Sequence, residues 1–231
     1  MISIKRLAMA TLLTVSLVWT GHASAETWKL TSLNWQPYSG AEMASQGNSI
    51  QKLRMMLEKQ GITLVVEFYP WKRAQYLAGR PGYVGYFPAW PEEVADGFVA
   101  SPPVDWSVLG YIKQKDAAVD FDTVQGLFEN YKVGIISTYV YPKRVQEAMK
   151  SHPKHVDKSA DEISLLKKLS GGRFQVALTD PNVMMYLAGQ EGISNVEPLE
   201  KSLEDKPLVI SFRNGEDNRK RIDLLEKLLK K

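Results

Sequence analysis

The chain has 231 residues, no cysteine, and a net charge of +3 from 29 basic and 26 acidic residues. This nearly balanced charge argues against a nucleic-acid-binding protein, which would concentrate lysine and arginine on one face. Without cysteine the chain has no disulfide and no lipid-attachment cysteine, so a hydrophobic core must hold the fold together.

The first 25 residues have the three parts of a secretory signal peptide. Lys5 and Arg6 precede an apolar run over 7–19, and the small residues 23–25 follow it. The run is shorter than the roughly 20 apolar residues that a membrane-spanning helix needs. We therefore predict cleavage after Ala25 and a periplasmic location for the rest of the chain. The alternative is an N-terminal anchor that stays uncleaved.

The residues that follow the signal peptide alternate between extended and helical patterns. The predicted elements are a strand over 28–33, a long loop over 34–47, a helix from 48 to 61, a strand over 62–68, a helix over 71–77 and a strand over 83–87. This succession favours a parallel sheet with right-handed crossovers. The first part of the chain is therefore predicted to be an α/β unit.

The alternation begins again after an extended segment over 106–113. Ser159 and Glu162 have the spacing of a capping box for one of its helices. The predicted elements are a short helix over 122–128, a strand over 132–136, helices over 139–149 and 161–169, a strand over 174–178, a helix from 181, a strand over 207–212 and a helix over 217–229.

A pattern that runs twice predicts an α/β fold with two lobes. We assign residues 26–109 and 210–231 to lobe 1 and residues 110–209 to lobe 2. The extended segments 106–113 and 207–212 are the candidate hinge, because no linker rich in proline or glycine separates the halves. The alternative is one continuous doubly wound domain.

Three stretches resemble the solute-binding proteins of family 3, the periplasmic receptors of polar amino-acid importers. They are the aromatic-proline-aromatic segment 35–38, the segments 69–74, 91–95 and 101–102 of the first half, and the segment 172–180 of the second. The resemblance implies a type II periplasmic binding protein fold in which two mostly parallel sheets are flanked by helices. It also implies a monomer that binds a small solute and has an ABC-type permease in the inner membrane as partner.

The sequence departs from this family at one position. Glu93 stands where the amino-acid receptors carry an arginine that holds the ligand α-carboxylate. A guanidinium donates two parallel hydrogen bonds to a carboxylate, whereas a glutamate repels one. Arg73 is a possible replacement, but a lone arginine on a helix surface is more often a solvated charge.

Thr138 and Asp180 are the candidate ligand-binding residues of the second half. Thr138 follows a predicted strand at the N-terminus of a predicted helix, where free N–H groups favour an anionic group. Asp180 ends a predicted strand, in the region where open α/β sheets bind ligands. Each residue has an alternative role as a helix N-cap.

Four aromatic residues of the first half lie in predicted loops or at helix starts, where large rings line clefts. They are Trp35, Tyr38, Trp71 and Trp90. Together with Glu93 and Asp180, these rings would suit an amino-bearing or cationic solute through cation–π contacts. The alternative is that some of the rings belong to the core. Hinge closure over the solute is the predicted mechanism.

Catalytic and metal-binding motifs are missing from the sequence. It contains no nucleophile elbow, no zinc-binding His-Glu-x-x-His pair and no phosphate-binding loop, and we predict no cofactor and no metal. His152 and His155 are expected to face solvent. Two further hypotheses remain: an exported dehydratase-like enzyme in which Glu93 is the acid, and a sensor or accessory protein without a transporter.

Overall fold

The computed structural model describes residues 26–230. The predicted signal peptide lies outside these residues. Sixteen helices and strands follow one another in the described chain, together with three short 3₁₀ helices at Ala44–Gln46, Pro91–Glu93 and Pro153–His155. Over residues 26–230, no helix combines the length and the apolar character required to cross a membrane.

The first half of the chain forms a sheet whose central strands are buried. Its elements are β1 (Thr27–Ser32), α1 (Asn48–Glu58), β2 (Thr63–Phe68), α2 (Trp71–Ala78), β3 (Gly85–Ala89) and β4 (Phe98–Ala100). Strand β1 pairs in parallel with both β2 and β3. All five residues of β3 are buried, as expected for a strand covered on both faces.

The second half repeats this arrangement. Its elements are β5 (Asp105–Gln114), α3 (Val124–Asn130), β6 (Val133–Ile136), α4 (Lys143–Ser151), β7 (Val156–Ser159), α5 (Glu162–Ser170), β8 (Val176–Thr179), α6 (Pro181–Glu191), β9 (Val196–Arg213) and α7 (Glu216–Leu229). Strand β6 pairs in parallel with β7 and β8. Its four residues, and the four of β8, are all buried.

Strands β5 and β9 join the two halves. They pair antiparallel from Asp105 opposite Leu208 to Gln114 opposite Val196, and the end of β9 continues beside β3 and β4. The order along the sheet is therefore β2-β1-β3-β9-β5-β8-β6-β7. The ribbon of β5 and β9 contains the segments predicted as the hinge. The hinge and the exact lobe boundaries stay predictions.

Gly85 shows how closely β3 and β9 approach each other. A Cβ atom at this position would lie 2.1 Å from the main-chain oxygen of Ser211. Any side chain here would force the two strands apart, so the absence of a Cβ is what allows this pairing.

Helix α4 begins later than predicted, at Lys143 and not at residue 139. Pro142 precedes it with an extended backbone (φ −53°, ψ 152°), and a residue before proline is itself disfavoured in the helical region. Residues 137–142 form neither helix nor strand, and the Tyr141 hydroxyl donates to the main-chain oxygen of Leu178 (3.1 Å). Thr138 is therefore not at a helix N-terminus, and neither Ser137 nor Thr138 caps α4.

The capping box predicted from Ser159 and Glu162 is also wrong. Asp161 is the N-cap of α5, and its carboxylate accepts from the main-chain N–H of Ser164 (2.8 Å). Ser159 belongs to β7, opposite Ile136, so its backbone is already committed to the sheet. Glu162 is therefore not part of a capping box.

Two strands were not predicted at all. Strand β7 falls between the predicted helices over 139–149 and 161–169, and the three residues of β4 pair with the end of β9. Strand β9 is also much longer than the predicted 207–212. Such strands owe their existence to partners distant in sequence, which local patterns do not reveal.

Candidate functional site

The ends of four parallel strands meet at a cleft between the lobes. Residues after β1 and β2 face residues after β6 and β7 across a cavity of about 510 Å³. Its lining consists of Leu33, Asn34, Phe68, Tyr69, Pro70, Trp71, Lys72, Thr138, Tyr139, Ala160, Asp161 and Glu162. Carboxyl ends of parallel strands are where open α/β sheets bind ligands, and this volume suits a small molecule. We call this cavity the outer cleft.

A second, nearly filled cavity lies beside the outer cleft. It is lined by Leu33, Trp35, Trp71, Pro88, Trp90, Glu93, Tyr139 and Leu208, and it measures about 10 Å³. This space is close to the minimum that one water molecule requires. We call it the inner void. The two cavities share Leu33, Trp71 and Tyr139, so these side chains form the partition between them.

Aromatic contacts close the inner void and connect the lobes. The ring of Trp90, from the first half, meets the ring of Tyr139, from the second, edge to face at 5.1 Å. Trp35 packs against Trp90 at 6.2 Å, and its buried indole N–H has no hydrogen-bond partner among the described residues. The predicted aromatic residues Trp35, Trp71 and Trp90 therefore do come together, and in this structure they pack mainly against other protein side chains.

Glu93 is a buried acid in the wall of the inner void. The turn that begins at Pro91 directs its carboxylate back to the main-chain N–H of Trp90 (3.1 Å), and the indole N–H of Trp71 donates to its other oxygen (3.0 Å). Glu93 forms no ion pair within residues 26–230. Because burial disfavours the charged form, it raises the pKa of Glu93 to about 7.

Glu162 is a second buried acid, on the opposite lobe. It is the first residue of α5 and lines the outer cleft, and the hydroxyl of Tyr139 donates to its carboxylate. Burial raises the pKa of Glu162, and no described cation pairs with it. Tyr139 thus adjoins both acids, since it binds Glu162 and lines the same void as Glu93. The sequence analysis missed Glu162 and Tyr139 as site residues.

Asp180 lies outside both cavities. Its carboxylate accepts from the main-chain N–H groups of Asn182 (2.7 Å) and Val183 (3.4 Å), as the N-cap of α6, and from that of Val108 in β5 (3.1 Å). Burial raises the pKa of Asp180, against the effect of these hydrogen bonds. The helix-cap role foreseen for Asp180 is present, and the same carboxylate also fastens β5 to α6.

Tyr38 joins the lobes without lining either cavity. Its ring stacks near Trp35 at 4.6 Å, and its hydroxyl accepts from the side-chain amide of Asn182 (3.2 Å). Burial is the main cause that raises the pKa of Tyr38. Tyr38 and Asp180 lie at the junction of the lobes, and their predicted contact with a solute stays a prediction.

Thr138 and Arg73 lie at the edge of the site. Thr138 is half-buried and lines the outer cleft. Arg73 is exposed, and its guanidinium lies 5.6 Å from the ring centre of Tyr69. Arg73 does not line either cavity, so it does not replace a carboxylate-binding arginine in this structure. Lys72, one residue before it, is the cationic side chain in the lining of the outer cleft.

The two histidines lie near each other, away from the cleft. Their rings are 6.2 Å apart, and the Nδ1 atom of His155 is 2.6 Å from the main-chain oxygen of Phe128. Both are half-buried and not fully exposed. Over residues 26–230, no three histidine or acidic side chains cluster in a way that could hold a metal ion.

No family model matches the sequence, and no curated protein matches it. Solved structures, in contrast, match it over most of its length. An ancestral arginine-binding protein bound to arginine has 16% identity and a TM-score of 0.71, with 88% of this chain and 91% of that chain covered. The sensor domain of a histidine kinase with similarity to periplasmic binding proteins has 16% identity and a TM-score of 0.70, covering 88% and 89%.

A third structure is an ancestral amino acid-binding protein described as a precursor of cyclohexadienyl dehydratase. It has 17% identity and a TM-score of 0.66, with 88% of each chain covered. At such low identity these likenesses concern the fold. The chain has the two-lobed α/β fold of periplasmic binding proteins, as predicted.

Proposed function

We propose that this chain is a divergent member of solute-binding protein family 3 that is exported to the periplasm and captures a small, polar, amino-bearing solute between its lobes. Ligand binding, not catalysis, is its function. The fold supports a binding role, because an arginine-binding protein shares it over nearly the whole chain. The signal-peptide pattern of residues 1–25 supports export.

The observation that carries the choice of solute is the pair of buried acids. Glu93 and Glu162 are each 8% exposed, and they belong to opposite lobes, Glu93 in the wall of the inner void and Glu162 in that of the outer cleft. Burying a carboxylate without a cation is costly, so such groups become neutral or acquire a positive partner. An ammonium group of a solute would supply that partner, and the surrounding aromatic rings would add cation–π attraction.

Closure of the hinge explains how such a solute would be held. Tyr139 and Glu162 belong to the second half of the chain, whereas Trp71, Trp90 and Glu93 belong to the first. A solute between them contacts both halves only in the closed form. Binding therefore favours closure by the free energy of those additional contacts, and by no more than that.

Two partners fit a protein that changes shape with its solute. One is an inner-membrane ABC-type permease, as for the importer receptors. The other is a signalling protein, since a histidine kinase sensor domain shares the fold. We propose the permease, with the sensor or accessory role as the alternative. Cross-linking in cells with and without solute, followed by identification of the captured membrane protein, distinguishes the two.

The function is tested by calorimetry of the purified protein with amines, amino acids and dicarboxylates. We expect amines to bind, and we expect Glu93→Gln to weaken them by at least tenfold. Glu58→Gln is the matched control, because Glu58 is an exposed glutamate of the same half at the end of α1. Tight binding of a dicarboxylate with none of amines would overturn the proposal.

A dehydratase-like enzyme is the second candidate, favoured by one observation. A carboxyl group with a pKa of about 7 suits a general acid near neutral pH. A carboxylate-bearing substrate would, however, meet Asp161 and Glu162 in the outer cleft with Lys72 as the one cation in its lining. Turnover of a prephenate-like acid that Glu93→Gln abolishes would establish the enzyme in place of the receptor.

A further inference from the structure

The lining of the two cavities has an excess of negative groups that one ammonium does not balance. The outer cleft contains Asp161, Glu162 and Lys72, and the inner void adds Glu93. With every group ionised, three negative charges face one positive charge. Asp161 and Lys72 are exposed and hydrated, so the two buried acids are the groups that require partners from a solute.

The two acids line different cavities, so one ammonium group does not contact both. Glu93 accepts from Trp71 and Trp90 in the wall of the inner void. Glu162 accepts from Tyr139 and faces the outer cleft. The partition of Trp71 and Tyr139 separates these places. Trp71 and Tyr139 belong to opposite lobes, so opening of the predicted hinge would separate them and join the two cavities.

We propose that the solute is a short diamine without a carboxylate, with one ammonium group on Glu93 and the other on Glu162. This inference rests on the proposed function and specifies its solute. The methylene chain between the ammonium groups lies against the rings of Trp71 and Tyr139. Both acids become ionised and paired in the liganded form, in which the rings of Trp71 and Tyr139 stand further apart than in this structure and admit the chain between them, so that the diamine links the lobes at both ends.

Four compounds with the same four-carbon chain test the proposal, because they differ only at one end. They are butylamine, 4-amino-1-butanol, 4-aminobutanoate and 1,4-diaminobutane. Calorimetry with the purified protein should show at least tenfold tighter binding of the diamine than of butylamine. It should also show that 4-aminobutanoate is the weakest ligand, because its carboxylate meets Glu162.

The variant Glu162→Gln identifies the second contact. It should weaken 1,4-diaminobutane to within about twofold of butylamine and weaken butylamine far less, because the single ammonium group of butylamine still has Glu93 as a partner. Glu200→Gln is the matched control, since Glu200 is an exposed glutamate in β9 of the same half and should leave both affinities unchanged. Thermal unfolding of each variant verifies that it is folded, and the comparison of the four compounds on the unaltered protein does not depend on any variant.

Equal affinities for butylamine and 1,4-diaminobutane would overturn the diamine proposal while leaving capture of an amine intact. An equal loss of both ligands in Glu162→Gln would do the same. Tightest binding of 4-aminobutanoate would overturn the diamine and the carboxylate-free site together. Binding of none of the four would remove the diamine, and the broader screen of amines, amino acids and dicarboxylates then decides the proposed function separately.

Discussion

Asp157 and Glu93 are both buried acids, and their surroundings are opposite. The carboxylate of Asp157 forms ion pairs with Arg173 (2.7 Å), Lys168 (3.0 Å) and Lys132 (3.1 Å). Burial raises the pKa of Asp157, but hydrogen bonds from these three cations outweigh it and lower the pKa to about 2. The carboxylate of Glu93 accepts hydrogen bonds from two uncharged N–H groups, and burial raises its pKa to about 7.

This difference indicates that Asp157 stabilises the fold and that Glu93 is available to a ligand. Asp157 in β7 has its charge compensated by the protein itself, so it stabilises the lobe at neutral pH. Glu93 is hydrogen-bonded but its charge is uncompensated, a state that costs stability. Groups with such perturbed pKa values in a cleft are candidates for function.

Asp157→Asn should give the largest loss of stability, because it leaves three cations around a neutral amide. We expect a loss of about 2.5 kcal/mol in the free energy of unfolding at pH 7. Urea denaturation measures it. Asp116→Asn, which changes an exposed loop carboxylate, is the control and should lie close to the unaltered protein. A loss for Asp157→Asn no larger than that of the control would mean that the three cations do not depend on Asp157.

Glu93→Gln should raise the free energy of unfolding at neutral pH, whereas Asp157→Asn lowers it. The pKa of Glu93 is raised by folding, so the stability that its protonated form contributes is fully present below its unfolded pKa and is lost as pH rises through about 7. Relative to the unaltered protein, Glu93→Gln should therefore gain about 3 kcal/mol between pH 4.5 and 8. Urea denaturation across this range measures the gain, and a constant difference between the two proteins would contradict it.

Amine binding should depend on pH in the same interval. A cation binds the ionised form of Glu93, which is the minor form below a pKa of about 7. The affinity for an amine should thus rise about tenfold, or 1.4 kcal/mol, from pH 6 to pH 8. Calorimetry at several pH values tests this rise, and an affinity that falls as pH rises would point to an anionic ligand.

Arg73→Ala should have the smallest effect. The guanidinium is exposed above Tyr69 and lines neither cavity. We expect less than about a twofold change in amine affinity and less than about 0.5 kcal/mol in stability, as for most surface substitutions. Should Arg73→Ala abolish binding of the best ligand, Arg73 would bind the ligand carboxylate in place of the arginine that is absent at position 93.

The sequence sufficed to predict the fold, because apolar periodicity and the βαβ order are local signals. Trp35, Trp71 and Trp90 were selected because they lie in predicted loops or at helix starts, and Glu93 because it stands where the resembled family carries an arginine. These four residues do surround one small void. Their contact with a solute stays a prediction.

The rest depended on contacts between distant segments. Glu162 had the spacing of a capping box, and only the pairing of β7 with β6 reveals that Asp161 is the cap and Glu162 a cleft residue. Tyr139 was placed inside a helix that in fact begins after Pro142. Asp180 was recognised at a strand end, but its contact with Val108 arises from the pairing of β5 with β8.

The most direct test of the account is the pKa of Glu93 itself, with and without 1,4-diaminobutane. Carbon-13 NMR of carboxyl-labelled glutamate, assigned with Glu93→Gln, follows its titration. We expect a midpoint near 7 in the free protein, shifted downward by the diamine because the bound ammonium favours the charged form. A midpoint near that of an ordinary glutamate, or one that the diamine leaves in place, would contradict it.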